Sequence, residues 1–181
     1  PVDFIARSMS QQLAKELGHS VIVENKPGAN GAIAADSVIR SAPDGKTLWL
    51  TSVGAVAINP ALYPKLNYKP ASDLVPVSLV VNNVEIMVVN AQTSFKDGKN
   101  FVQNDSQRKD KPMTMASSGT GSVPHLAAIQ LNESAGLNLM HVPYKGAAPA
   151  ITDLMAGHVD GFFGDIPGLV GAIDSGKFRP V

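Results

Sequence analysis

The residues best arranged for chemistry are Ala116-Ser117-Ser118-Gly119-Thr120-Gly121-Ser122-Val123-Pro124-His125-Leu126. Small and hydroxylated side chains let backbone N–H groups approach a ligand closely, and the hydroxyls add donors of their own. If the string joins a strand to a helix, the helix N-terminus supplies unpaired N–H groups and a partial positive charge. A carboxylate, phosphate or sulfate suits such a place. An ordinary N-capped turn uses the same residue types, so composition leaves both readings open. Gly119-Thr120-Gly121 is not a dinucleotide loop, because Pro124 stands where the third glycine belongs. Ser118 and His125 invite comparison with a hydrolase, but the chain has no Gly-x-Ser-x-Gly elbow. Proximity along one loop and helix does not establish that the two side chains meet.

Three further polar segments close expected strands, the edge at which open α/β sheets bind ligands. They are Thr51-Ser52-Val53-Gly54-Ala55, Val142-Pro143-Tyr144-Lys145-Gly146 and Gly164-Asp165-Ile166-Pro167. Asp165 either caps a helix starting at Pro167 or meets a ligand amine or hydroxyl through water. Lys145 reads as a solvated cation, Tyr144 as a packed ring, and Arg108-Lys109-Asp110-Lys111 as a helix end and loop. The histidines His19, His125, His141 and His158 lack metal-ligand spacing and read as surface or capping residues. His125, in the first helical turn beside the polar loop, is the one that borders a candidate site. Neither a metal nor a cofactor is expected.

The elements that must position these residues alternate along the chain. Ile5, Met9, Leu13 and Leu17 recur every fourth residue, with Asp3 as a candidate N-cap and Gly18 as terminator. A β-branched strand at 21–23 follows, then a turn at 26–31 and an Ala-rich helix at 32–40. Pro43-Asp44-Gly45 turns the chain into a strand at 47–52; Asn59-Pro60 begins a helical turn through Leu62, and 73–81 is extended. The second series has strands at 85–90, 113–116, 139–142, 159–163 and 178–181. Helices at 97–110, 123–135, 147–155 and 167–174 separate them. This alternation implies parallel βαβ units. With a boundary at Asn82-Asn83, the expectation is an α/β protein of two lobes, residues 1–82 and 83–181.

Composition narrows the functional classes. The 15 Lys and Arg balance 15 Asp and Glu, so no basic surface for nucleic acid or anionic lipid is expected. With 44% hydrophobic residues the chain can build a core, yet its apolar runs are too short for membrane insertion. The absence of cysteine removes disulfides, thiolate nucleophiles and Cys-ligated zinc together. The sequence starts at Pro1 without an initiator Met and ends in what reads as a strand cut short. A piece of a longer protein is therefore expected.

Several motifs occur in a fixed order: Val23-Glu24-Asn25-Lys26-Pro27-Gly28-Ala29-Asn30-Gly31, Ala42-Pro43-Asp44-Gly45-Lys46-Thr47-Leu48 and Ile58-Asn59-Pro60-Ala61-Leu62-Tyr63. Pro76-Val77-Ser78-Leu79-Val80, Ala116-Ser117-Ser118-Gly119, His125-Leu126, His141-Val142-Pro143-Tyr144-Lys145-Gly146 and Pro149-Ala150 continue the series. Over nearly its whole length the chain closely resembles the Bug family of periplasmic solute-binding proteins, receptors of tripartite tricarboxylate transporters. The resemblance implies a two-lobed periplasmic-binding-protein fold of the second topological type, with the first lobe incomplete. It implies a periplasmic receptor, monomeric when complete, that makes and breaks no bond. Such a receptor closes by a hinge on a small carboxylate and delivers it to the membrane components of the transporter. The ligand classes implied are di- and tricarboxylates, acidic amino acids and aromatic acids.

By the same resemblance, one ligand loop ends at Val2 and Asp3, and the other comprises Ser117, Ser118, Gly119, Thr120, Gly121 and Ser122. Ser52, Val53, Gly54, Ala55 and Asp165 are expected to line further walls, with His125 at the border. Family members begin with a strand and a Pro-Gly-Gly loop before the position of Asp3, and they continue past residue 181. This chain alone is therefore expected to bind its solute weakly or not at all. Two rivals come from other classes: the effector lobe of a LysR-type regulator, and a hydrolase using Ser118 and His125.

Overall fold

Apolar residues at four-residue spacing produce α1 (Val2–Leu17), the first element of a computed structural model that describes residues 2–107 and 111–181. Pro1 and the Arg108, Lys109 and Asp110 part of the charge run lie outside the described residues. The chain divides into two compact units, Pro1–Val77 and Ser78–Val181.

In the first unit Asp3 lies within the first turn of α1 and not at its N-cap; a carboxylate still suits the helix's positive end there. The next helix, α2 (Ala32–Ile39), is entered through a left-handed stretch, with φ of 45° at Ala29, 47° at Asn30 and 89° at Gly31. A side chain at Gly31 would also collide with Ala55, its Cβ falling 2.9 Å from that of Ala55. For Ala29 and Asn30 a left-handed backbone costs about 1–2 kcal/mol each. What holds it is Asn59, fully buried at the start of α3 (Asn59–Leu62). Its Oδ1 accepts from Asn30 Nδ2 at 2.8 Å, and its Nδ2 donates to the Asn30 carbonyl and to Tyr68 Oη, each at 3.1 Å. Tyr68, also buried, donates to the Ala55 carbonyl at 2.6 Å and stands edge-on to Trp49. Ala55 belongs to a π-helical turn, Gly54–Ile58, that runs directly into α3; α4 (Pro70–Asp73) follows.

The strands expected at 21–23 and 47–52 do not form: among the described residues neither joins a ladder. β-branched composition favours a pleated, half-buried surface, but a strand exists only where a neighbour accepts its hydrogen bonds. Ile22 is accordingly 88% exposed. Residues 74–84 likewise carry neither helix nor ladder.

The second unit follows the expected alternation: β1 (Glu85–Asn90), α5 (Gly98–Gln107), β2 (Thr114–Ser117), α6 (Val123–Ala135), β3 (Met140–Pro143), α7 (Ala147–Ala156), β4 (Gly161–Asp165), α8 (Ile166–Asp174) and β5 (Phe178–Pro180). The sheet order is β3-β2-β4-β1-β5. β2 is parallel to β3 and β4, but β1 is antiparallel to both β4 and β5, so the all-parallel expectation is corrected to a mixed sheet. The crossover from β4 through α8 to β5 skips one place, and β1 fills it from the opposite direction. Hydrophobic alternation is blind to strand direction, because a side chain faces the same layer whichever way its strand runs.

That alternation builds two cores. Val88, Ala116 and Phe162 point to one face with Ala150 and Leu154 of α7 and Leu169 of α8. Met87, Val89 and Met115 point to the other with Phe101 of α5 and Ala128 of α6. Fully burying a side chain the size of Phe162 contributes about 1.5–3 kcal/mol. The result is a three-layer sandwich whose strand ends are held rigidly from both sides. Among the described residues no helix is long and apolar enough to cross a membrane.

Candidate functional site

From β2 the chain crosses to β3 on one side, and β4 lies on the other, so a topological switch point falls between β2 and β4. Ligands of open α/β sheets bind at such points, beyond the carboxyl ends of the strands. Residues 117–122 leave the end of β2, and Asp165 closes β4. Glu85, at the start of the reversed β1, stands directly opposite Asp165.

The 117–122 loop is held at both ends. Ser117 is fully buried; its Oγ lies 2.6 Å from His141 Nε2 and accepts the Gly119 N–H at 3.1 Å. The Ser117 carbonyl accepts the Tyr144 N–H at 3.0 Å, joining the loop after β3 to the loop after β2. Ser122 N–H donates back to the Gly119 carbonyl at 3.1 Å, tightening the turn. At the far end Gly121 N–H donates to His125 Nδ1 at 3.1 Å. Ser122 caps α6, its hydroxyl accepting from the His125 N–H at 3.4 Å. Gly119 has φ 135°, a value few other residues adopt. The loop therefore presents half-buried Ser118 and Gly119 and exposed Thr120 over a helix N-terminus.

The imidazoles of His125 and His141 stack with ring centroids 3.9 Å apart and planes 24° from parallel. Because His125 Nδ1 accepts from Gly121, its proton sits on Nε2. Burial lowers the His125 pKa; burial first, and then the neighbouring His125, push His141 down to about 4. Both rings are neutral at neutral pH, so positive potential at the loop comes from amides and the helix end. The sequence alone reads His141 as a surface or capping residue, and the structure corrects this. The parallel register Met115↔His141 and Ser117↔Pro143 puts His141 and Ser117 on one face. That register is the signal that spacing along the chain lacks.

The other candidate residues divide clearly. Tyr144 is packed, and its hydroxyl donates to Asp153 Oδ2 at 2.7 Å; burial, reinforced by Asp153, pushes it up to about 12. Lys145 is exposed. Asp165 occupies the N-cap position of α8 yet makes no capping hydrogen bond. Burial raises Asp165, and burial together with the Asp165 charge pushes Glu85 up to about 7. Among the described residues Glu85 Oε2 is buried without a hydrogen-bond partner; its type and spacing in the sequence do not single it out. In the first unit, Asp3 is engaged by Arg7 Nε at 2.9 Å and Asn25 Nδ2 at 2.7 Å, and these bonds hold its pKa low. Val2, Ser52 and Val53 are exposed, whereas Gly54 and Ala55 are buried in the π-helical turn.

No hydrogen bond joins Ser118 to His125 among the described residues, and the serine that does meet an imidazole, Ser117, is fully buried. Nucleophilic catalysis needs a reachable hydroxyl with its base in place, so the geometry gives the hydrolase reading no support. No group of three His, Cys, Asp or Glu side chains among the described residues is placed to hold a metal ion.

Comparison with known proteins agrees with this architecture. Residues 5–181 match the family described as tripartite tricarboxylate transporter family receptor. Protein BugT of Bordetella pertussis is 34% identical over 180 residues, which is 98% of this chain and 54% of BugT. MatC from Rhodopseudomonas palustris with bound malate superposes with a TM-score of 0.90 at 33% identity, over 99% of this chain and 61% of that one. The periplasmic binding protein BugD gives a TM-score of 0.89 at 32% identity, over 99% of this chain and 60% of its own. This chain thus spans about half the length of the curated relative and about three fifths of the solved chains. The fold is that of a periplasmic binding protein, and the chain belongs to the family of tripartite tricarboxylate transporter receptors.

Proposed function

We propose that the protein is an extracytoplasmic solute receptor whose 117–122 loop grips a carboxylate of a small organic acid for delivery to a tripartite transporter. The observation that carries this is the loop itself: a glycine-bearing turn, Ser122-capped, pointing the α6 N-terminus at the β2–β4 switch point. In that position backbone amides neutralise an anion with neither a metal nor a cationic side chain. MatC, of the same fold, holds malate. The family resemblance assigns Val2 and Asp3 to a second ligand loop, and residues 52–55 and Asp165 to further walls around the same ligand.

Calorimetric titration of the full-length receptor with malate, adipate, citrate, glutamate and nicotinate tests this. At least one acid is expected to bind, and Gly119→Ala, strained at φ 135°, is expected to weaken it about tenfold or more. Failure of the whole panel to bind or to raise the melting temperature at millimolar concentration would overturn the proposal.

A further inference from the structure

The loop proposed to hold the carboxylate has no cationic side chain of its own, yet two histidines stand behind it as neutral hydrogen-bonding groups. One touches each end. His141 Nε2 meets the Ser117 hydroxyl at 2.6 Å, and His125 Nδ1 accepts the Gly121 N–H at 3.1 Å. The rings contact each other at 3.9 Å between centroids, which links the two ends of the loop through one stack.

Protonation acts differently at the two rings. A proton on His125 Nδ1 replaces an acceptor with a donor facing the Gly121 N–H, which takes that bond away and sets two donors against each other. At His141 the Ser117 hydroxyl donates to the Gly119 carbonyl, 3.2 Å away, which leaves Nε2 to donate to Ser117 Oγ, so a proton on His141 adds charge beside the loop without breaking this bond. Among the charged groups on adjoining elements, Glu85 and Asp165 face each other across β1 and β4. Burial raises the pKa of both carboxyls, and referring the wild type to a variant that keeps them removes their own titration. Asp153 is tied to Tyr144 and His158, Asp160 to Thr114, and Lys145 is an exposed cation.

We propose that the His125–His141 stack is the positioning element of the 117–122 loop, and that its protonation releases the loop and any carboxylate held there. The second half of this statement rests on the carboxylate reading above; the first half does not. Burial, which disfavours the charged imidazoles, places the transition below neutral pH. The sign is diagnostic. Histidines that touched the ligand directly would bind an anion more tightly when protonated, whereas histidines that position the loop as neutral groups bind it less tightly.

The test uses the full-length receptor, with malate as probe and His125→Asn as comparison variant. Asparagine offers Oδ1 near the position of Nδ1, keeps an acceptor for Gly121, and does not titrate. From about pH 7.5 to about pH 4.5 the wild-type affinity, taken as a ratio to His125→Asn at each pH, is expected to fall about tenfold or more. The ratio cancels the ionisation of malate itself. His125→Leu, which removes the acceptor, is expected to lose affinity by a similar factor already at the higher pH. Amide-exchange protection of residues 117–122, corrected for intrinsic rates, is expected to fall in parallel and is read without ligand. A ratio that stays flat or rises on acidification, or unchanged loop protection in both acidified wild type and His125→Leu, overturns the proposal. If malate does not bind, the acid of the panel that does bind takes its place; if none binds, the carboxylate reading fails, and loop protection alone decides whether the histidines position the loop.

Discussion

Replacing Asn59 by alanine isolates the polar hub beneath the π-helical turn. The side chain is fully buried and links Asn30 Nδ2, the Asn30 carbonyl and Tyr68 Oη through three hydrogen bonds. Truncation removes all three and takes a partner from each of two Asn30 groups; a loss of that kind costs about 1–3 kcal/mol. Relaxation of the left-handed Ala29-Asn30 backbone offsets part of this, because those residues no longer need to be held at positive φ. The expected net loss is about 3 kcal/mol. For a protein of this size that corresponds to a melting temperature lower by about 6–12 °C. Trp49 is the sole tryptophan and stands edge-on to Tyr68, so its fluorescence during urea unfolding reports this unit. Tyr68→Phe, which removes the hydroxyl that holds the Ala55 carbonyl and accepts from Asn59, is expected to lose about 1–2 kcal/mol. A loss below about 0.5 kcal/mol for Asn59→Ala, the range of an ordinary surface substitution, would refute the hub.

Glu85→Gln is expected to stabilise the protein at alkaline pH. The folded pKa of Glu85, raised to about 7 from 4.5, means that its contribution is fully present below 4.5 and is lost as pH rises through 7. With partial exposure screening the charge, the variant should gain about 1–2 kcal/mol at about pH 8 and nothing at about pH 4 in parallel urea titrations. An equal gain at both values would show that packing and not ionisation is responsible. Ser122→Ala removes the α6 cap and is expected to cost about 1 kcal/mol in the same assay, with Ser122→Gly costing less.

The second unit was legible in the sequence because its signals are local. Glu85 to Asn90 and Val123 to Ala135 have the bounds that pattern and capping residues imply, and Gly157 caps α7 in the left-handed conformation that glycine favours. The polar 117–122 string was identifiable for a similar reason: strand, turn chemistry and helix follow one another without a gap. The first unit was less legible. Residues 21–23 and 47–52 have the composition of strands, yet pairing depends on partners that composition does not specify.

Residue chemistry and local periodicity determined the α/β class, the helices of the second unit and the anion-suited loop, since capping, turn conformation and amphipathicity act within a few residues. Tertiary structure decided the rest. The reversed direction of β1, the Glu85–Asp165 juxtaposition, and the placement of His141 against Ser117 and His125 each depend on strand order and register. These join residues that are distant along the chain through cross-strand geometry, which a one-dimensional pattern of residue types does not contain.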